Sequence, residues 1–371
     1  MSTNMSSGYR ITAGGQLRNL TTIAACLFCL LLAIPAWAGM PKEDASYRVL
    51  PAIVRGNLAI FPVVAGRSHD TSQLMTLDEG VSSGQVTVNE AEDQRGLIRP
   101  GQFMPPRRSG AEVNRLVLYN NSSRPLLLLA GEIVTGGKQD RIIGADRIVS
   151  PNTGPIDLGV FCVEPGRWVG SSTKFGSMGA QMAQPSVRTP AMAERNQNQV
   201  WDNVRASNAK MAAALSSSEA VAVTGTSSYA KVFESEPVKK KIATYSGAES
   251  EQVILSELRR KGAVGVVVAL NGRVLWADAF ASTELLAKYW PKLMRSYVAE
   301  AMTSVSTGTS PDIHEAERFM ANLGGGREVV ETEPGVYRRA DITGDGYRVF
   351  ELTSLLPKSE FEVHITKIGE R

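Results

Sequence analysis

From residue 48 to about 168 the chain reads as one short strand after another, with no helix long enough to carry it across a sheet between them. Parallel neighbours need a crossover of a dozen or more residues, usually helical. A run of strands without such helices favours antiparallel pairing over a doubly wound sheet. "LAIFPVV" and "QVTVNEA" are the first clear runs. Between them Thr76 and Glu79 have the spacing of a capping box, and Gly84 ends the helical turn that the box would start. "VNRLVLYNNSSRPLLLLAGEIV" reads as a hairpin about "NNSSRP", and "DRIVSPNTGPIDLGVFCVEPGRW" as a turn followed by another strand.

The pattern changes at 169. Residues 169–246 are rich in Ser, Ala, Gln and Met and are expected to form a mobile linker holding one amphipathic helix, in which Val200, Val204, Met211 and Leu215 recur at helical spacing. Regular patterning resumes at 247. The helix "EQVILSELRR" is framed by a Ser246–Glu249 capping box and Gly262, and "VGVVVALNGRVLWADAF" is a hairpin turning at Asn271-Gly272. Apolar pairs from 285/286 to 301/302 predict a helix, with Pro291 starting a second, kinked segment. "SPDIHEAERFMANLGGG" predicts a serine-capped helix, and strands close the chain. The fold class is therefore α+β: a mainly antiparallel sheet from the N-terminal and C-terminal parts, packed with several helices from the middle and second half. Residues 39–371 are expected to form a single domain, with a strand-rich part at 39–168, the linker at 169–246, and a helix-hairpin-helix part with C-terminal strands at 247–371.

Residues 1–38 have a different purpose. Arg10 and Arg18 precede the apolar run "NLTTIAACLFCLLLAIP", and "AWA" stands before Gly39. That order predicts a secretory signal peptide cut after Ala38. The run is too short and wrongly flanked for a membrane span. The expectation is an exported protein, periplasmic or extracellular, with no span after cleavage. A lipid anchor on Cys26 is the weaker reading, since much of the apolar core lies beyond that cysteine. Cleavage removes Cys26 and Cys29, so Cys162 stands alone and no internal disulfide is possible. Of 40 basic side chains only Arg10 and Arg18 leave, against none of the 37 acidic ones. The near-neutral remainder argues against nucleic acid as a partner, and 43% hydrophobic residues suffice for a real core.

The stretch "LLLLAGEIVTGGKQDR" imitates a phosphate-binding loop and fails the test. A Walker loop needs G-x-x-x-x-G-K-[ST]. Counted from Gly131, the lysine position holds Gly137; counted back from Lys138, the first glycine position holds Glu132; the hydroxyl position holds Gln139. Glu132 is the informative residue. Strand alternation puts it on the face of Leu126, Leu128 and Ala130, where a carboxylate is costly unless a cation or several donors meet it. Lys138, Arg141 and Arg167 are the cations available nearby, with Arg141 named first. One reading is a pocket where Glu132, Lys138, Arg141 and Arg167 converge and the amides of Gly136 and Gly137 approach an anion. The plainer one is a structural ion pair beside a glycine turn. Cys162 shares a face with Ile156, Leu158 and Val160 and is read as a buried, inert thiol. "DITGDG" at 341–346 lacks the glutamate of a calcium loop, because Leu352 stands there, and is read as a hairpin turn. His69, His314 and His364 are too scattered for a metal site, and "VKKKI" at 238–242 is read as a solvated face.

Taken together, "TLDEGVSSGQVTV", "PLLLLAGEIVTGGKQDR", "CVEPGRW", "VWDNV", "GVVVALNGRVLWADAF" and "WPKLMRSY" resemble, in order over roughly 48–366, a bacterial domain family of unknown activity. That family is named for its association with ADP-ribosylglycohydrolases and rhodanese-like phosphatases. The resemblance implies a single domain whose two strand-rich ends come together, and it implies no reaction. Its motif positions fall here on Glu132, Gly136, Gly137, Lys138, Gln139, Arg141, Cys162, Glu164, Gly166, Arg167 and Trp168, then on Trp290, Pro291, Lys292, Arg295 and Ser296. Asp140 departs from the asparagine expected there. The candidate ligand-binding residues are accordingly Glu132, Gly136, Gly137, Lys138, Gln139, Arg141, Glu164, Arg167 and Trp168, with no metal ligand and no cofactor assigned.

Two functions from different classes follow. The crowded charges at "GEIVTGGKQDR" and "EPGRW" favour a domain that binds or processes a small anionic molecule such as a nucleotide or ADP-ribose derivative. The lack of a complete nucleophile–base pair or metal spacing favours a non-catalytic secreted module that meets a protein partner.

Overall fold

The computed structural model describes residues 46–90, 115–166, 174–246, 250–305, 307 and 311–370. The signal peptide expected at 1–38 and two candidate residues, Arg167 and Trp168, lie outside them, as do Glu249 and Ser310. Strands from both ends of this range share one sheet of nine. Its order runs β1 (Tyr47–Val49), β3 (Leu58–Ala65), β13 (Gly265–Leu270), β14 (Arg273–Phe280), β18 (Glu362–Gly369), β17 (Tyr347–Ser354), β16 (Tyr337–Gly344), β15 (Arg327–Glu333), and β2 (Ile53–Arg55) also pairs with β3. Every neighbour is antiparallel. The β13–β14 turn has Asn271 at φ 52° and Gly272 at φ 78°, the two positive values a tight turn between right-twisted strands requires.

The strands between β3 and β13 close on themselves. β5 (Val86–Glu90), β6 (Arg115–Asn120), β8 (Glu132–Gly136), β9 (Arg141–Ile143), β11 (Thr153–Cys162) and β12 (Lys174–Met182) form a barrel in the order β11-β6-β5-β12-β8-β9. Alternate residues fill it: Val86, Val88, Leu116, Leu118, Val134, Ile143, Leu158, Val160 and Phe175 are in one apolar cluster. A sheet of three, β10 (Arg147–Val149), β7 (Leu126–Leu128) and β4 (Met75–Thr76), contributes to the same cluster and to that of the large sheet. So β6 and β7 do not form the expected hairpin. Asn120 donates to Arg124 O, Val149 O and Ser150 O and accepts from Ser122, a set of bonds that turns the chain from the barrel into the small sheet.

Nor is the serine-rich middle a linker with one helix. Its described part supplies barrel strand β12 and then helices α2 (Pro185–Thr189), α3 (Gln197–Ala213), α4 (Ser217–Thr224), α5 (Tyr229–Glu234) and α6 (Glu236–Ser246), after α1 (Leu77–Ser82) earlier in the chain. The expected helix is α3, 17 residues long with Val200, Val204 and Met211 buried, while each of the others is short and adds few apolar side chains, so it shows no strong period. Together Val187, Val200, Val204, Met211, Val223, Tyr229, Val232 and Val238 pack with Ile133, Ile142 and Val163 of the barrel wall. Ser246 is the last residue of α6, and α7 is described from Ser250 to Arg260, so the expected Ser246–Glu249 box lies outside the described residues. Helix α8 runs unbroken from Thr283 to Met302 through Pro291, so that proline starts no second segment. It lies on one face of the large sheet, against Trp276, Phe280, Phe350 and Leu352. Helix α9 (Ile313–Ala321), capped by Asp312, covers the other face with Ala316 and Met320. Residues Ala45–Arg371 form one compact unit. Among the described residues no helix is long and apolar enough to cross a membrane.

Candidate functional site

Glu132 opens β8 at the point where the strand leaves the small sheet for the barrel, and it is 1% exposed. Its Oε2 accepts from the Leu129 amide at 2.7 Å, and its Oε1 lies 2.7 Å from Lys292 Nζ of α8. Lys292 also pairs with Asp78 of α1, and beside it Lys288 meets Glu79 at 2.8 Å. A ladder of ion pairs thus leads from the surface at α1 to the buried carboxylate. Burial pushes the Glu132 carboxyl up against the pull of Lys292; burial also opposes the Lys292 charge, but Glu132 and Asp78 hold its pKa above the ordinary value. The structure has the expected burial of Glu132 and a cation against it, but that cation is Lys292: neither Arg141 nor Lys138 reaches the carboxylate, and Arg167 lies outside the described residues. Pairing of β8 with β9 sets Arg141 opposite Val134, beside the apolar filling of the barrel, whereas the Glu132 carboxylate at the start of the strand is taken by Lys292 of α8.

One residue upstream, Gly131 takes φ +96°, and a Cβ there would fall 2.5 Å from Arg188 Nε. The missing side chain admits Arg188 to a second buried group. Both terminal nitrogens of Arg188 lie 3.3 Å from the carboxylate oxygens of Asp278, and its guanidinium stacks on Trp276. Asp278, 0% exposed, also accepts from Trp276 Nε1, Tyr297 and Thr366 Oγ1. His364 Nε2 faces it at 3.4 Å without hydrogen-bond alignment, while His364 Nδ1 is 2.6 Å from Asp146, whose other oxygen accepts the Ala130 amide. Burial alone would raise the Asp278 pKa; Arg188 and His364 outweigh it and hold the acid well below the usual range. For His364 burial is overcome by Asp146 and Asp278, and the pKa rises to about 9.

Gly136 to Arg141, Cys162 and Glu164 meet at one mouth of the barrel. Arg141, 1% exposed, donates from Nη1 to Gln139 O at 2.7 Å. Across the ladder it faces Cys162. Burial lowers its pKa, while Cys162, Glu90, Asp140 and Glu164 work against that shift. Glu90 accepts the Lys138 amide at 2.8 Å, Asp140 accepts the Gly136 amide and Ser228 Oγ, and Glu164 accepts the Asp140 amide at 3.3 Å. Gly137, at φ +53°, leaves the space in which Phe175 and Glu90 sit. Gln139 donates to Glu164 O, yet its Oε1 is buried with no hydrogen-bond donor among the described residues, and the residue is 4% exposed. Cys162 is fully buried, and burial pushes its thiol up, which makes it a poor nucleophile at neutral pH. Gln197 of α3 holds the Cys162 backbone on both sides, donating to its carbonyl and accepting its amide.

A family model matches residues 46–365, nearly the whole described chain. The chain belongs to the ARG and Rhodanese-Phosphatase-superfamily-associated Protein domain family. Comparison with curated proteins and with solved structures found no match. Among the described motif residues, Glu132 and Lys292 meet beside α1, Gly137 to Arg141 with Cys162 and Glu164 lie at the barrel mouth, and Trp290 and Arg295 of α8 meet Glu251 of α7. Among the described residues no group of His, Cys, Asp and Glu could hold a metal ion.

Sequence reasoning missed Asp146, Arg188, Asp278 and His364. For Asp278 the signal was present: in "LWADAF" it shares a strand face with Trp276 and Phe280, the same argument that singled out Glu132. Arg188 carried none, since its partner lies on a strand 90 positions away.

Proposed function

We propose that this exported domain is a non-catalytic binding module that takes a small polar molecule bearing an anionic group, such as a nucleotide or ADP-ribose derivative, at the barrel mouth. The observation that carries the reading is Gln139 Oε1. A buried acceptor without a donor costs about 1–3 kcal/mol, and an arriving hydroxyl or amide N–H would remove that cost. Glu90, Asp140 and Glu164 outnumber Arg141 there, so the anionic group belongs at the rim with Lys138, while the donor-bearing part reaches Gln139. Glu132 has no place in this site. Export rests on the charged leader, apolar core and "AWA" in sequence.

A thermal-shift screen of nucleotides and sugar phosphates tests the proposal. A ligand at 100 times its Kd should stabilise by about 2.7 kcal/mol. Gln139→Leu should abolish that increment without lowering the stability of the free protein, and Glu132→Gln should lower stability while leaving the increment intact. If no member of the screen stabilises the protein, the small-molecule reading fails. The alternative then stands, a non-catalytic module meeting a protein partner, which the internal satisfaction of Glu132 and Asp140 favours.

A further inference from the structure

Among the described residues the large sheet stops at β15, and the strand is exposed there. Six of its seven residues are exposed and Glu333 is half-buried, so neither face is covered. Its ladder with β16 runs from Arg327 to Glu333 without a register shift. In such a ladder every second residue turns its N–H and C=O away from the sheet. Natural edges are blunted by charged side chains, lysine above all, by proline or by a bulge. β15 has no lysine, proline or bulge; it carries Arg327, Glu328, Glu331 and Glu333, and between them Val329 and Val330 are 54% and 45% exposed.

The order of charges along "REVVETE" is self-complementary. Laid antiparallel on itself about a two-fold axis through Val330, the strand sets Arg327 opposite Glu333 at both ends, Glu328 opposite Thr332, and Val330 opposite Val330. No like charges face each other. A slip of one residue either way puts Glu328 opposite Glu331 or Glu333. Among the described residues no carboxylate pairs with Arg327. Glu333 bonds Arg147 at 3.0 Å and keeps 37% of its side chain exposed, which leaves room for a second cation.

We propose that β15 is a dimerisation edge, on which a second copy of this chain adds its own β15 antiparallel, so that the sheet continues through both copies. This stands apart from the small-molecule reading. One strand pair is a small contact, below about 1,200 Å², so the dimer is weak and forms at high micromolar concentration.

Sedimentation velocity of the purified protein over a concentration series tests it. The wild type should pass from monomer to dimer as concentration rises. Arg327→Glu alone and Glu333→Arg alone should each weaken association about tenfold, because each turns both end pairs into repulsions. A mixture of those two variants should regain the wild-type affinity, since every end pair is again unlike in charge. Val330→Lys should also weaken association, and circular dichroism should show each variant folded. If Glu333→Arg loses structure through Arg147, Arg327→Glu and Val330→Lys still decide the matter. A monomer at every concentration overturns the proposal. So does a dimer that Arg327→Glu and Val330→Lys leave unchanged, or a mixture of folded variants that fails to recover.

Discussion

Lys292 Nζ sits 2.7 Å from Glu132 Oε1, with both side chains at most 2% exposed and 160 residues between them in sequence. The contact ties the helix that covers the large sheet to the strand that enters the barrel. Its value lies in being complete: a buried charge with its partner removed is strongly unfavourable, whereas the intact pair adds little beyond an apolar contact of the same shape.

Lys292→Met should therefore cost about 3–5 kcal/mol, because it strands both Glu132 and Asp78. Glu132→Gln should cost about 1–3 kcal/mol. The double variant should be less damaging than the sum of the two, and urea unfolding of the full cycle measures that coupling. Additivity within about 0.5 kcal/mol would mean the two groups do not interact.

Gly131→Ala should be as harmful as a charge deletion although it adds one methyl. The new Cβ meets Arg188 and carries a positive φ, so Arg188 must withdraw from Asp278. We expect a loss of about 3 kcal/mol or more from the unpaired carboxylate and the backbone strain. A melting temperature within a few degrees of the wild type would refute it.

His364 predicts a pH dependence. Its pKa is raised on folding from 6.5 to about 9, so the folded state binds the proton more tightly than the unfolded one. The resulting stability is fully present below about pH 6.5 and is lost as pH rises through 9. Lys367, whose pKa burial lowers to about 8, works in the opposite sense above that pH. The test is thus the difference between the wild type and His364→Gln in urea unfolding, in which Lys367 cancels. That difference should shrink between pH 6.5 and 9, by a few kcal/mol at most, and a flat difference would exclude a charged His364.

Cys162 should resist a thiol reagent in the native protein and react only at the rate of local opening. Cys162→Ala should fold, with a loss of about 1–2 kcal/mol from the small cavity. Labelling as fast as that of a free thiol would place Cys162 at an accessible surface instead.

The leader in the sequence predicts export and a mature N-terminus at Gly39, which intact mass spectrometry reads directly. A chain starting at Met1 or a lipidated Cys26 would contradict the leader assignment.

Local patterns in the chain determined the α+β class, the Thr76–Glu79 capping box, the Asn271-Gly272 turn, the phase that buries Cys162, and the burial of Glu132. Each depends on a period of two or on spacings of a few residues, and so is written within one element. Tertiary structure alone decided which cation meets Glu132, that Asn120 sends β6 and β7 to different sheets, and that a serine-rich middle closes a barrel and clads it with helices. Those outcomes depend on contacts between elements far apart in the chain, where a partner is chosen by shared burial and geometry. Sequence proximity pointed to Arg141, but pairing turned that side chain into the barrel. Lys292, on the far side of the chain, was the ammonium that packing delivered.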